Sequence, residues 1–271
     1  MPELPEVETT VRAIRPLMLG KCIRAVVIRS ASLRWPLPRK LVRILPGQRI
    51  QGIERRAKYL LLQLETGTLI MHLGMSGSIR VVRSTTVPGP HDHFELLAKG
   101  GLSLRLRDPR RFGCVLWTQS PVADHPLLAG LGPEPLGPQF DGWYLFRVAR
   151  RRRAPIKNLL MDGRIVAGIG NIYASEALHL SGIHPRRAAG RISLPRYERL
   201  ADSVRQVLAR AIEAGGTTFR DFVSADGAAG RFRFALHAYG RGNEPCRQCG
   251  HVIRKIIMGQ RATYYCPGCQ R

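Results

Sequence analysis

Acidic residues are scarce in this chain: 19 Asp and Glu stand against 43 Lys and Arg, leaving a formal net charge of +24. That excess goes beyond what solubility needs and draws polyanions to the surface, nucleic acid first among them. Long apolar runs are also missing. No stretch approaches the ~20 residues of a transmembrane helix, and the basic residues are spread along the chain instead of clustering beside an apolar segment, so no membrane partner is expected. The N-terminus turns acidic at once and has no apolar core of a signal peptide, which points to a cytoplasmic protein. Cysteine is rare, six in 271 residues, and in a reducing compartment these stay thiols unless they hold metal. Internal repeats and low-complexity tracts are absent as well. With 44% hydrophobic residues, the chain still has enough apolar material for two domains, each with its own core.

From about Gly20 to Trp117 the sequence reads as short strands: "CIRAVVIRS", "QRIQGIERR", "KYLLLQLETGTLIMHLG", "GSIRVVRS", "HFELLAKGGLSLRLRD" and "FGCVLW". Turn pairs such as Thr66-Gly67 and Gly100-Gly101 separate them. Strands this closely spaced imply a sandwich or a barrel. Between Gln119 and Gly142 prolines and glycines crowd together and break any periodicity, which marks a linker. Beyond it the period changes to that of helices: "APIKNLLMDG", "NIYASEALHLSG" and "SLPRYERLADSVRQVLARAIEAGG" each end at glycine. In the last, Leu200, Val204, Val207, Leu208, Ala211 and Ile212 form one apolar stripe, read as core packing in preference to a partner-binding face.

The strongest single motif stands at the C-terminus. Cys246-x2-Cys249 and Cys266-x2-Cys269 are separated by sixteen residues, the pattern of one four-cysteine zinc site. Four thiolates leave no coordination position for water, so this zinc is structural. The hairpin between the pairs presents Gln260 and Arg261. Cys22 and Cys114 lie in apolar strands and read as buried, inert thiols. Other motifs are ambiguous alone. "GIGNIY" lacks the third glycine and the preceding strand of a dinucleotide fingerprint. "HDHF" sets His91 and His93 on one strand face, for a metal pair or, more simply, a polar face or phosphate contacts. "ARRRRAP" at 149–155 is a solvated linker end or a nucleic-acid contact, and "DPRRFG" at 108–113 is a turn whose arginines read equally as surface charges. At the start, "MPELPEVETT" places Pro5 in the first turn of a helix with Glu6 and Glu8 near its positive end, while Pro2 and Glu3 precede that helix.

Taken in order, "MPELPEVE", "KYLL", "HLGMSG", "DPRRFG", "GIGNIYASEAL", "GGTTFRDF", "YGR" and the final "GQRATYYCPGC" resemble the formamidopyrimidine-DNA glycosylase family along essentially the whole chain. The resemblance implies an N-terminal two-sheet β-sandwich, a helix–two-turn–helix domain and a zinc hairpin. The expected divisions are 1–118 for the helix and sandwich, 119–142 for the linker, 143–235 for the helix–two-turn–helix domain and 236–271 for the zinc finger. It also implies excision of 8-oxoguanine and formamidopyrimidines from double-stranded DNA, with the target base extruded, and cleavage of the abasic strand by β- and δ-elimination. The expected partner is duplex DNA holding oxidised bases or abasic sites, bound by a monomer carrying one structural Zn2+.

By position, Pro2 resembles the family's nucleophile and Glu3 its acid/base residue, with Glu6 holding the N-terminus in place. Freed of Met1, Pro2 would be a secondary amine able to attack a sugar C1′ and form an iminium. Lys58 matches the lysine near the lesion phosphate. His72, Lys157, Asn171 and Arg261 match residues that grip the kinked backbone, and His91 and Tyr173 join the expected DNA contacts. Met75, Arg110 and Phe112 match the trio that fills the space of the flipped base, Phe112 as a wedge. The loop around 224–231, expected to cap the extruded base, is the least family-like part. Two rivals follow: an endonuclease VIII-like enzyme for oxidised pyrimidines, against which "MPELPE" and the trio argue, and a catalytically silent zinc DNA-binding protein.

Overall fold

The computed structural model describes residues 1–217 and 232–271, the side chains of 233 and 234 apart. The 224–231 loop lies outside the described residues. Two compact units divide the chain, the first comprising Met1–Ala129 and the segment from Ala214, the second Gly130–Glu213 and Phe232–Arg271.

The first unit begins with α1 (Leu4–Met18), whose N-cap is Glu3 and whose first turn takes Pro5 without losing a hydrogen bond. Its buried face is Leu4, Val7, Val11, Ile14 and Met18, the helical spacing of a single stripe. Eight strands follow: β1 (Ile23–Ile28), β2 (Ile50–Arg56), β3 (Tyr59–Leu64), β4 (Gly67–His72), β5 (Ser78–Arg83), β6 (Asp92–Ala98), β7 (Leu102–Arg107) and β8 (Cys114–Thr118). A one-turn helix, α2 (Leu41–Ile44), interrupts them after β1. They form two antiparallel sheets, in the orders β1-β6-β7-β5 and β2-β3-β4-β8. Of the sandwich and barrel left open by strand spacing, the chain adopts the sandwich. The core lies between the sheets, where Ile53, Leu60, Leu62, Leu69 and Met71 of one meet Ile79, Phe94, Leu96, Leu104 and Leu106 of the other, all at most 1% exposed. Each such side chain contributes about 1.5–3 kcal/mol by burial. The β3–β4 turn is Glu65-Thr66, because Gly67 already pairs with Leu64. α1 packs against β2, β3 and β5, and so touches both sheets.

The second unit holds α3 (Gly142–Ala149), α4 (Ile156–Met161), α5 (Asn171–Leu180), α6 (Leu194–Glu213) and a hairpin of β9 (Arg254–Met258) and β10 (Arg261–Tyr265). α3 was not legible as a helix. It begins where the expected linker ends, and Asp141 caps it by accepting the Tyr144 N–H at 2.6 Å. The apolar stripe of α6 is core: Leu200, Leu208 and Ala211 have no exposure, and Val204, Val207 and Ile212 are buried. α6 packs on α3 and α5, and α5 in turn meets α4 and β10.

Candidate active site and nucleic-acid interface

Pro2 and Glu3 are both buried, Glu3 at 2% exposure. Their position is set by Glu6, three residues into the helix, whose Oε2 accepts the Glu3 backbone N–H at 2.8 Å. The other oxygen, Oε1, accepts the Thr217 N–H at 2.7 Å. One carboxylate thus ties the start of α1 to the end of the Gly215-Gly216 turn. A reactive group at position 2 therefore has a fixed origin.

Lys58 sits in the two-residue turn between β2 and β3, where Arg56 pairs with Tyr59 and Ala57 takes φ 52°. Nearby, His72 closes β4 with its ring 4.9 Å from that of Tyr59. Burial, aided by the charges of Lys58 and Arg34, lowers its pKa to about 4. Nδ1 accepts the Gly74 N–H at 3.0 Å, which leaves the single ring proton on Nε2. His72 is thus a neutral donor. Cys114, opposite His72 in the β4–β8 ladder, is buried and its thiol is pushed up to about 11, an inert packing group as expected.

Met75, Arg110 and Phe112 are exposed on two adjoining turns. The Arg110 guanidinium lies 5.1 Å from the centre of the Phe112 ring, a cation–π contact. The turns meet at Gly74, φ 60°, where a Cβ would fall 2.4 Å from the Phe112 carbonyl carbon. Only glycine fits there. What locks the turns together is Asp108, a residue that sequence reasoning passed over. It is wholly buried, and its carboxylate accepts the Ser76 hydroxyl at 3.0 Å and the Gly113 N–H at 2.7 Å. Ser76 Oγ in turn accepts the Arg110 N–H at 3.3 Å. The Asp-Pro pair at a strand end was the available signal. His93 is buried with Nε2 donating to the Asp108 carbonyl at 3.0 Å, and His91 is half-buried beside it. Among the described residues the histidines form no metal group.

In the second unit, Lys157 is only 1% exposed, and its Nζ donates to Asn171 Oδ1 and to Thr263 Oγ1, both at 2.6 Å. Asn171 at the start of α5 donates from Nδ2 to the Ala262 carbonyl at 2.9 Å. These bonds fasten α4, α5 and β10 to one another. The β9–β10 turn uses two positive φ residues, Gly259 and Gln260, and delivers an exposed Arg261. Lys157 and Arg261 line a common cavity of about 240 Å³. Tyr173 departs from expectation. Its ring is 1% exposed and packs 6.0 Å from Phe232, because the third position of α5 faces the core; it supports the helix that carries Asn171 and presents no side-chain surface to DNA. Arg151, Arg152 and Arg153 are exposed, as a solvated segment would be.

The sulfurs of Cys246, Cys249, Cys266 and Cys269 lie within 4.8 Å of one another, with Cys249 3.3 Å from Cys266 and 3.2 Å from Cys269, and Cys246 3.9 Å from Cys269. Tetrahedral zinc with ~2.3 Å bonds sets sulfurs about 3.8 Å apart, so the donor set fits Zn2+. The backbone N–H of His251 and the neighbouring thiols hold Cys249 down to about 6, favouring the thiolate form that binds metal. The module is joined to α5 by Glu176, whose carboxylate accepts the backbone N–H groups of His237, Ala238 and Tyr239 at 2.7–2.9 Å.

Comparison with known proteins places all three parts. Residues 1–115 match the formamidopyrimidine-DNA glycosylase N-terminal domain, 131–223 the H2TH domain of the same enzymes, and 243–271 the zinc finger found in FPG and IleRS. Fold and site are those of a DNA glycosylase with a structural zinc hairpin. A formamidopyrimidine-DNA glycosylase of Methylococcus capsulatus is 55% identical over 271 residues, spanning 100% of both chains. The complex of a Lactococcus lactis FPG mutant with a Fapy-dG containing DNA has a TM-score of 0.92 at 33% identity, and the Lactococcus lactis Fpg complex with an abasic site containing DNA has 0.90 at 33%, each covering 100% of both chains. The chain belongs to the formamidopyrimidine-DNA glycosylase family.

Proposed function

We infer that this protein excises oxidised purines, 8-oxoguanine and formamidopyrimidines, from duplex DNA and nicks the abasic strand by β- and δ-elimination. The observation that carries the reading is the double hydrogen bond of Glu6 to the amides of Glu3 and Thr217, which fixes the N-terminus as a reactive group must be fixed. While Met1 is attached, the Pro2 nitrogen is an amide and cannot react. Once Met1 is removed, the Pro2 amine attacks C1′, the glycosidic bond breaks and the base leaves with a proton. Glu3 serves as acid/base residue for the sugar. The resulting iminium draws electrons from C2′, so a proton leaves there and the 3′ phosphate departs; a second elimination releases the 5′ phosphate.

The DNA contacts divide by role. Lys58, His72, Asn171 and Arg261 take phosphates, which sets register without reading sequence, while Lys157, expected among them but as buried as Tyr173, orients Asn171 through its Nζ. Met75, Arg110 and Phe112 occupy the space of the extruded nucleotide, and His91 contacts the strand nearby. The four segments 1–118, 119–142, 143–235 and 236–271 carry chemistry, linkage, backbone grip and zinc support in turn. No described helix is long and apolar enough to cross a membrane, and the work fits a monomer in the cytoplasm.

Borohydride trapping on an 8-oxoguanine duplex tests the reading. The expected product is a cross-link that peptide mapping assigns to the peptide beginning at Pro2. A cross-link at a lysine, or none, would overturn it.

A further inference from the structure

Four thiolates on one Zn2+ leave two negative charges in excess, which hydrogen-bond donors must absorb where the sulfurs are buried. Cys246 and Cys266 are buried, at 3% and 0% exposure. Backbone N–H groups of the tight turns supply part of the need. That of Gln248 donates to Cys246 at 3.4 Å, that of His251 to Cys249, and those of Gly268 and Cys269 to Cys266. A further polar contact reaches the sulfurs from outside the zinc module. His179, near the end of α5 and only 3% exposed, places its ring Nε2 3.5 Å from Cys246 Sγ.

The ring is held in place for this contact. Glu176, one turn earlier on α5, accepts the His237 N–H at 2.8 Å, and the His237 ring stacks on that of His179 with centroids 5.9 Å and planes 24° apart. His237 is exposed and forms the solvent side of the stack. Packing alone does not call for an imidazole beneath it, because a buried ring nitrogen without a partner is costly. The chemistry of the partner decides where the ring proton stands. A free thiol can donate its S–H to a bare Nε2, but a zinc-bound thiolate has no proton and only accepts, so Nε2 must carry the hydrogen. We propose that His179 is a positioning residue of the zinc centre, donating Nε2–H to the Cys246 thiolate, which orients that sulfur toward the metal and tempers its charge. A donor of this kind strengthens metal binding without touching the metal. α5 is then fastened to the zinc module at both ends, by Asn171 Nδ2 on the Ala262 carbonyl at 2.9 Å and by His179 on Cys246.

The first test uses the full-length wild-type protein with nitrogen-15 histidine and with cadmium-113 in place of zinc. His179 Nε2 should resonate as a protonated ring nitrogen, and its proton should show a scalar coupling to the metal, transmitted through the hydrogen bond and Cys246 Sγ. The second compares His179→Phe, which keeps a ring and loses the donor, with His179→Gln, whose side-chain amide restores one. In the cobalt(II)-loaded proteins the sulfur-to-metal charge-transfer band should move to lower energy in His179→Phe, as a thiolate that has lost a donor requires, and return in His179→Gln. Competition with a zinc-chelating dye should show His179→Phe holding zinc at least ~tenfold more weakly than wild type, with His179→Gln restoring most of the loss. An unprotonated Nε2 or a missing coupling in the wild type overturns the proposal, and this holds even where a variant fails to fold. So does an unmoved charge-transfer band in His179→Phe, whatever its zinc affinity, because His179 would then only fill space beside the hairpin.

Discussion

His72 shows how a single residue is tuned by its surroundings. With its pKa lowered from 6.5 to about 4, the ring stays neutral at working pH and keeps one N–H for the phosphate contact proposed above without adding charge. The cost appears in acid. Because the unfolded imidazole takes up its proton first as pH falls, the folded state loses stability from about 6.5 down to about 4. Between pH 7 and 5 the loss from this group amounts to about 2 kcal/mol. Urea unfolding of wild type and His72→Gln at the two pH values should show the variant's acid sensitivity smaller by that amount, and equal sensitivity would remove His72 from the account. Arg110 and Phe112 are proposed to act on a different step. If they fill the space of the extruded nucleotide, Arg110→Ala and Phe112→Ala should slow excision from a lesion duplex far more than nicking of a pre-formed abasic site, where unstacking costs less. Single-turnover rates on the two duplexes decide this; equal slowing on both would make the segment an ordinary surface turn.

Among the elements, the zinc hairpin carries the most consequence for its size. Thr263 of β10 holds the Lys157 ammonium, and the Cys266 N–H bonds to Gln270, which reaches back to the Ile183 carbonyl. Cys249→Ser should therefore abolish zinc binding and weaken DNA affinity by loosening Lys157, Asn171 and Arg261 together, while the β-sandwich keeps its strand signal. Metal analysis, a DNA titration and circular dichroism measure the three effects, and global unfolding would contradict the independence of the sandwich. The elements also differ in how plainly the sequence announces them. Alternating or continuous apolar runs between turn residues gave away all eight sandwich strands, and the α6 stripe its buried face. α3 stayed hidden because its eight residues lie between a proline-rich stretch and a run of arginines, with only Asp141 as a start signal. α2 is one turn long, too short for any periodicity.

At the scale of the whole molecule, the +24 charge should appear as a steep response to salt. Neutralising about six phosphates gives a slope near ~−5 in log K against log salt. Binding measured across salt concentrations on an undamaged duplex tests this, and a nearly flat line would show that the charge is not gathered on a DNA-binding face. Motif order made the family and the zinc ligands legible from residues alone. Long-range closure was not legible: nothing local tells Asp108 to join two turns, or Glu6 to meet a backbone N–H 211 positions away. That last bond has a consequence in time. A chain leaving the ribosome makes every strand of the sandwich within its first 118 residues, yet the second of the two amides that Glu6 accepts arrives only with Thr217. At roughly 5–20 residues per second the nascent protein spends about five seconds or more with its sandwich complete and the Glu6–Thr217 bond not yet formed. Met1 can be clipped during that interval, before the Glu6–Thr217 bond has formed. The order of synthesis thus leaves the N-terminus, with the nucleophile proposed at Pro2, open to processing before the Glu6–Thr217 bond closes.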